Sequence, residues 1–300
     1  MKFRKANHSA IVSLIAILAL AGCSDGSGPG GGADNRRIAF ASDRSGDTEI
    51  WVMRADGSGM VNLTQAAGID DEPAWSPDGS HIAFVSAQSG YRELFIMDSA
   101  GGDQLQLTHL QRDIERPTWS PDGSRLLFSI DGILHLVDPD GGDTVSIDHS
   151  GGLEAAWNPH APRIAVSHGT CTIALVDTTG NGFVAVTRCA NNSVDGDPAW
   201  NPAGSRLVYF RATNAIYSLV VSDTLGSYEL NLTATVDSTQ AIGVTQPAWS
   251  HDGRDIAFTC NTSLDRFQPR YDLCLIHPDG SGFRTLTHDA AADTWPAWAP

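Results

Sequence analysis

A tryptophan recurs along the chain within similar stretches of sequence, and this repeat limits the folds that the chain can adopt. Each copy joins a Pro-x-Trp or related triplet to a polar turn and a short apolar run, as in PAWSPDGSHIAF, PTWSPDGSRLLF and PAWSHDGRDIAF. Successive copies are 38 to 49 residues apart. The six tryptophans are Trp75, Trp119, Trp157, Trp200, Trp249 and Trp298. A period in the forties is typical of propeller blades or of helical arrays.

The pattern inside each copy distinguishes these two architectures. Short apolar runs such as residues 82–84, 94–97 and 105–107 are separated by Ser-Pro-Asp-Gly and Asp-Gly-Ser-Gly clusters, which are typical turn sequences. We count four such β-type runs per copy, and a four-stranded antiparallel unit at this period is a propeller blade. The sequence therefore predicts an all-β propeller whose repeated tryptophans pack between blades.

The two ends of the repeat array predict how the ring closes. Residues 37–40 read as the second strand of a blade that lacks a Pro-x-Trp strand before it. Residues 296–298 are a Pro-x-Trp strand with no further strand after it. Together the ends complete one blade beside five internal ones, so we expect six blades in a closed ring, which hides the strand edges that an open array would expose.

These repeats resemble a known family. PAWSPDGSHIAF followed by ELFIMDSAGGDQLQLT, and RIAFASDRSGDTEIWVMRADGSGMVNLT near the start, are similar to the WD-like propeller repeats of the TolB family, over residues 36–300. The resemblance implies a β-propeller that binds an envelope protein, since the family acts in the Tol system through the peptidoglycan-associated lipoprotein. Similar repeats also occur in propeller domains of peptidases and polysaccharide lyases, so the fold alone does not imply an activity.

The N-terminal residues are typical of a bacterial lipoprotein signal. Lys2, Arg4 and Lys5 precede an apolar run over residues 11–21, which is too short to span a bilayer. The following Leu-Ala-Gly-Cys resembles a lipobox, so we expect residues 1–22 to be removed and Cys23 to carry lipid. Residues 23–35 are then a flexible Gly-rich tether. Ser24 after the cysteine favours export to the outer membrane, facing the periplasm or the cell surface.

Charge and motif content exclude several classes of function. The formal net charge is −16, and Lys2 and Lys5 are the only lysines. A nucleic-acid partner is therefore disfavoured, and so are a Walker-type phosphate loop and a lysine Schiff base in the exported part. The ten histidines never form an HExxH or another close metal pair. We expect no catalytic residue, no protein-bound metal, no cofactor and a monomeric chain.

Four further cysteines lie in a chain predicted to enter an oxidising compartment, so disulfides are expected. Three pairings of the four are possible. Cys171 and Cys189 flank the strands around the turn at residues 180–182, and Cys260 and Cys274 bracket the loop between the second and third strands of the last complete blade. We predict bridges from Cys171 to Cys189 and from Cys260 to Cys274.

A candidate binding surface follows from the register of the Pro-x-Trp strand. If this strand is innermost, the residues just before it converge at one mouth of the central channel. The candidate mouth residues are Asp71, Glu72, Glu115, Arg116, Glu154, Asp197, Gln246 and Trp295. Their carboxylates would either form a solvated acidic rim or focus a negative potential that captures a cation or a basic segment of a partner. Repulsion among them should raise some of their pKa values.

Two functions of different classes fit these observations. The first is a non-enzymatic, lipid-anchored scaffold that presents its channel mouth to an envelope protein or a cell-wall component. The second is a hydrolase or lyase that acts on peptides or polysaccharides at the same mouth. Turnover or a bound transition metal would favour the enzyme.

Overall fold

The computed structural model describes residues 34–147, 152–169, 171–188, 192–214, 216–234, 236, 243–263 and 269–300. The described chain forms six antiparallel sheets of four strands each. The inner strands of neighbouring sheets contact one another all the way round, which closes a ring. The predicted six-bladed β-propeller is therefore confirmed.

Each blade runs outward from its innermost strand. Blade 1 contains β24 (Asp293–Trp298), β1 (Arg37–Ser42), β2 (Glu49–Arg54) and β3 (Val61–Asn62). Blade 2 contains β4 (Asp70–Trp75), β5 (His81–Ser86), β6 (Glu93–Asp98) and β7 (Leu105–Gln106). Blade 3 contains β8 (Glu115–Trp119), β9 (Leu126–Ile130), β10 (Ile133–Val137) and β11 (Val145–Ser146).

The second half of the ring repeats the same order. Blade 4 contains β12 (Gly152–Trp157), β13 (Arg163–His168), β14 (Thr172–Asp177) and β15 (Val184–Ala185). Blade 5 contains β16 (Ser193–Trp200), β17 (Arg206–Thr213), β18 (Ile216–Asp223) and β19 (Glu229–Asn231). Blade 6 contains β20 (Gly243–Trp249), β21 (Ile256–Asn261), β22 (Tyr271–Ile276) and β23 (Arg284–Thr285).

Blade 1 joins the two ends of the repeat array. Its inner strand β24 pairs antiparallel with β1, with Trp298 opposite Ile38 and Asp293 opposite Ser42. The backbone N–H of Ala299 also donates to the carbonyl of Arg37 over 2.9 Å. The predicted sharing of one blade between the ends is therefore confirmed, and the first strand is held by hydrogen bonds to the last.

The apolar core lies between blades, where each repeated tryptophan packs against the preceding blade. Among the described residues there are six buried apolar clusters, one at each seam between neighbouring blades. Trp119, Trp200 and Trp298 also donate their indole N–H to a backbone carbonyl of the preceding blade, over 3.0–3.1 Å. The tryptophans thus fix each blade to its neighbour through apolar packing, and at three of the six seams a hydrogen bond from the indole is added.

The Ser-Pro-Asp-Gly segments form tight turns after the inner strands. Asp78 Oδ1 accepts hydrogen bonds from the hydroxyl of Ser76 over 2.6 Å and from the backbone N–H of Ser80 over 3.0 Å. Gly79 follows with φ of 70°, a conformation that glycine adopts without steric cost. These turns lie at one end of the inner strands, and we call the surface they form the turn face.

The structure contains the predicted bridge between Cys260 and Cys274, which joins β21 to β22. Cys171 is also disulfide-bonded, but Cys189, its predicted partner, lies outside the described residues. The predicted signal peptide, Cys23 and most of the predicted tether lie outside them as well. Within the described part of the chain, no helix is long and apolar enough to cross a membrane.

Candidate functional site: the channel mouth

Six residues, one from each blade, surround the central channel at the end opposite the turn face. Each stands three positions before the repeated tryptophan of its inner strand. We call them the mouth ring: Glu72, Arg116, Glu154, Asp197, Gln246 and Trp295. Together with the prolines and alanines that follow them, they line one cavity of about 220 Å³. The position three residues before the repeated tryptophan therefore lies at the channel mouth in all six blades.

A backbone irregularity turns these residues toward the channel. In five blades the mouth-ring residue has φ between 52° and 58°, and the pairing of the inner strand with the second strand shifts at the same point. A proline follows at each of these five positions, where the irregular pairing needs no N–H. A left-handed conformation is unfavourable for residues with a Cβ by about 1–2 kcal/mol. Blade 4 has Ala155 instead of proline; its pairing also shifts, between residues 152 and 155, but Glu154 has no positive φ.

Hydrogen bonds between neighbouring blades offset this cost. At four of the six junctions, a side-chain oxygen of one mouth-ring residue accepts from the backbone N–H of the next one round the ring. Glu72 Oε2 accepts from Arg116, Glu154 Oε2 from Asp197 over 2.6 Å, Asp197 Oδ2 from Gln246 over 3.0 Å, and Gln246 Oε1 from Trp295 over 3.2 Å. The acidic residues at the mouth therefore also join the blades.

Arg116 contacts both the next blade and the blade beyond it. Its guanidinium contacts Asp197, two blades away, and lies 3.2 Å from Glu154 Oε1. The same guanidinium lies over the ring of Trp295, with its carbon 4.6 Å from the ring centroid. Burial of this side chain is compensated by two carboxylates and an aromatic face. One cation thus occupies part of the channel entrance.

Arg92 is a second cation at the mouth, which the sequence did not indicate. It binds both carboxylate oxygens of Asp71 over 2.9 Å and also Glu72 Oε1 over 2.9 Å. Asp71 and Glu115, which we predicted at the mouth, do not line the cavity. Asp71 faces Arg92, and Glu115 is exposed at the start of β8. Arg92 lies just before β6, the third strand of blade 2, so its contacts with the inner strand form only when the blade folds.

Two mouth carboxyls have pKa values raised toward neutrality. Burial raises the pKa of Glu72 to about 7, and the nearby carboxyl of Asp71 adds to the effect. Burial also raises the pKa of Asp197 to about 6, with a further contribution from Glu154. The direction agrees with the expectation from sequence, but loss of solvent is the larger cause and like-charge repulsion the smaller one.

The raised pKa of Asp197 predicts a dependence of stability on pH. Its folded-state pKa of about 6 exceeds the ordinary value of 3.8, so the folded state binds a proton more readily than the unfolded state. Its contribution to the free energy of unfolding is present at low pH and is lost as pH rises through 6. We expect urea unfolding between pH 5 and pH 7 to show a shallower pH dependence for Asp197→Asn than for the wild type.

The exposed Asp131 provides the control for this measurement, since its side chain is 64% exposed. Asp131→Asn should leave the pH dependence unchanged. Equal slopes for Asp197→Asn and the wild type would contradict the prediction.

A second cavity lies along the inner strands toward the turn face. Its volume is about 450 Å³, and its lining includes all six repeated tryptophans and the prolines of the following turns. Four of these tryptophans are buried in the seams, and Trp157 and Trp249 are partly buried. Among the described residues, no group of three or more His, Cys, Asp and Glu side chains could hold a metal ion.

Comparisons with known proteins identify the repeat. Residues 25–140 match the model of the TolB beta propeller domain. A Tol-Pal system protein TolB of Anaeromyxobacter dehalogenans (strain 2CP-C) is 48% identical over 42 residues, which are 14% of this chain and 10% of that protein. The matched part is thus a small fraction of this relative.

Solved structures resemble the propeller over most of its length. TolB from Acinetobacter baumannii superposes with a TM-score of 0.73 at 20% identity, covering 90% of this chain and 68% of that one. A putative TolB from Agrobacterium tumefaciens gives 0.65 at 17% identity, covering 84% and 89%. An oligogalacturonate lyase in complex with manganese gives 0.56 at 15% identity, covering 83% and 73%. At these identities the likeness shows the fold alone, whereas the match over residues 25–140 adds the sequence signature; the protein is a six-bladed β-propeller whose repeats are similar to those of the TolB beta propeller domain.

Proposed function

We propose that this protein is a non-enzymatic scaffold of the bacterial envelope, which binds a partner protein or a cell-wall component at the channel mouth. The observation that carries the proposal is the mouth ring, because six blades each contribute one residue to a single cavity. A site built this way is rigid, since its residues are joined by hydrogen bonds between blades. The similarity to a Tol-Pal system protein supports an envelope partner.

The chemistry of the mouth favours a basic segment of the partner. Glu154 and Asp197 already hold one guanidinium in a partly buried position beside an aromatic ring. A lysine or arginine side chain of a partner would find the same carboxylates by displacing Arg116. The chain has a formal net charge of −16, which also attracts a basic partner over longer distances. A solvated rim without a partner is the competing interpretation.

The test removes charge at the mouth while keeping the hydrogen bonds between blades. In the triple variant Glu72→Gln, Glu154→Gln, Asp197→Asn, each amide oxygen still accepts from the next backbone N–H. We expect crosslinking in cells followed by pull-down to recover a partner with the wild type and at least tenfold less with the variant. For purified partner, the wild type should show the stronger dependence on salt.

The matched control is Glu115→Gln, because Glu115 is a carboxylate of the same region that lies outside the cavity. It should capture the partner as the wild type does. Unchanged capture by the triple variant, with folding intact, would mean that the mouth is only a rim and that the contact surface lies elsewhere.

We further propose that lipid on Cys23 anchors the protein at the outer membrane. The Leu-Ala-Gly-Cys sequence of residues 20–23, which resembles a lipobox, supports this anchor. Within the described chain, Arg36 is held at the turn face by Asp252 and Asp255 of blade 6 and lies over Trp298. The first described residues therefore lie at the turn face and leave the mouth ring uncovered.

Anchoring by Cys23 predicts a change in fractionation. The variant Cys23→Ala lacks the acceptor for lipid and should move from the membrane fraction to the soluble fraction of the envelope. Immunoblots of separated fractions measure the change, with Cys260→Ala as a cysteine control that should stay with the membranes. A Cys23→Ala variant that stays membrane-bound would refute lipid anchoring at this residue.

The alternative function is a hydrolase or lyase with its site at the mouth. It is tested on the same purified protein by turnover of glycans and peptides and by metal analysis. Turnover that is lost in the triple mouth variant would support the enzyme and refute the scaffold proposal.

A further inference from the structure

The seams between blades carry a repeated polar arrangement near the mouth end. A threonine two residues after the fourth strand donates to a carboxylate that begins the third strand, as Thr64 does to Glu49 and Thr108 to Glu93. At three seams, the inner strand of the next blade adds an aspartate five positions before its tryptophan. These aspartates are Asp70, Asp195 and Asp293.

Two of the three aspartates are neutralised by arginine. Arg44 binds both carboxylate oxygens of Asp293 over 2.7 and 2.8 Å. Arg211 binds both oxygens of Asp195 over 2.8 and 2.9 Å. Each arginine comes from the same blade as its aspartate: Arg211 lies in the second strand, two residues before its end, and Arg44 lies two residues after the second strand. The rule inside this molecule is therefore one guanidinium for each such aspartate.

The seam between blades 1 and 2 breaks this rule. Asp70 is 1% exposed, and both of its carboxylate oxygens are buried without a well-formed hydrogen bond. The carboxyl of Glu49, itself 5% exposed, and the hydroxyls of Thr64 and Ser86 all face it. Blade 2 has Gln88 at the position where blade 1 has Arg44, two residues after the serine that ends the strand. Two buried carboxylates thus meet without an arginine.

We propose that this group, Glu49, Thr64, Asp70 and Ser86, is a binding site for Ca²⁺. A dication in the seam would neutralise both carboxylates, as a guanidinium does for the aspartates at the other two seams. It would also complete the surroundings of the buried Asp70 oxygens, which face only the Thr64 and Ser86 hydroxyls and the Glu49 carboxyl. The site is independent of the channel mouth and of any partner that binds there.

The donor set fits calcium better than other biological cations. All the facing atoms are carboxylate or hydroxyl oxygens, which suit hard cations and not the zinc or copper that imidazole and thiolate ligands select. The amide oxygen of Gln88 is a further candidate ligand. Magnesium demands near-ideal octahedral geometry and gives up its water reluctantly, whereas calcium accepts irregular oxygen shells. A buried seam with few waters therefore favours calcium.

The test is thermal unfolding of the full chain in EDTA and in saturating CaCl₂. Ligand that binds only the folded state raises the melting temperature, and for a chain of this size we expect a rise of the order of 5 °C. Magnesium chloride at the same ionic strength should give a smaller rise. The variant Asp70→Asn should lose the calcium response, and in EDTA it should be at least as stable as the wild type because carboxylate repulsion is removed.

A second variant keeps the proposal testable if Asp70→Asn fails to fold. Gln88→Arg supplies the guanidinium that blade 1 carries at Arg44, so it should stabilise the protein in EDTA and abolish the calcium response. Asp289→Asn, at a half-exposed carboxylate that pairs with Arg44, is the control and should retain the response. A calcium response that persists in both seam variants, or none in the wild type, overturns the proposal. If the wild type shows no calcium response, the interpretation is that Glu49 and Asp70 share a proton instead of binding a cation.

Discussion

Removal of residues 295–300 should abolish cooperative unfolding. The deletion takes most of β24, the innermost strand of blade 1, and leaves β1 without the partner that aligns Trp298 with Ile38. It also removes the buried indole of Trp298 and its 3.1 Å hydrogen bond to Ala248 of blade 6. Loss of one buried large aromatic side chain alone costs about 3–5 kcal/mol, against a total stability of about 5–15 kcal/mol. We therefore expect aggregation or a broad transition in thermal and urea unfolding.

Deletion of Pro300 alone is the matched control for this truncation. It leaves β24 and the hydrogen bond from Ala299 to Arg37 in place, so unfolding should stay cooperative. A sharp, unshifted transition in the longer deletion would show that the ring does not depend on closure through blade 1.

Replacement of Arg116 by alanine should be the most damaging point change at the mouth. The guanidinium is the cation that contacts both Glu154 and Asp197, and the latter side chain is only 8% exposed. Removing one partner of a buried ion pair leaves an uncompensated charge, which typically costs about 3–5 kcal/mol. We expect a loss of this order in the free energy of unfolding at pH 7.5, measured with urea. The loss should shrink at pH 5, because the freed carboxyls then take up protons.

Arg112→Ala tests whether this effect belongs to the mouth or to any ion pair of blade 3. Arg112 pairs with Asp131, and both side chains are more than half exposed. Exposed pairs contribute about 0–1 kcal/mol, so this variant should remain close to the wild type. If Arg116→Ala were equally mild, the ion pairs across the mouth would add little to the stability of the ring.

The fold followed from sequence because the repeat is a local signal. Each Pro-x-Trp strand, its turn and the apolar run after it lie within about a dozen residues, so one copy predicts a hairpin and the copies together predict the ring. The incomplete first and last copies predicted closure for the same reason. The mouth-ring positions could be predicted from the sequence too, since each copy places them at the same distance before its tryptophan.

The contacts at the mouth could not be read in the same way. Arg116 reaches Asp197 from two blades away, and Arg92 reaches Glu72 from the residue before the third strand of its blade, so both contacts depend on side-chain conformation after the ring has closed. A glycine in the sequence often marks a position with positive φ. The five mouth-ring residues with positive φ are Glu, Arg, Asp, Gln and Trp, so the sequence did not indicate this conformation. The carboxylates at the seam between blades 1 and 2 can be recognised from the sequence, since alignment of the copies places Gln88 opposite Arg44.

The direction of the mouth-ring hydrogen bonds divides the ring into constrained and free positions. Wherever a side chain accepts from the next blade, only residues with a carbonyl or carboxyl oxygen at the right reach keep the junction closed. Arg116 accepts nothing from the next blade, but its guanidinium pairs with Glu154 there, so this position is constrained by charge instead. The side chain of Trp295 accepts nothing from the next blade, and the junction after it holds without such a bond. A descendant of this chain could exchange the Trp295 side chain at little cost to closure, so recognition can diverge at this position while the other five preserve the scaffold.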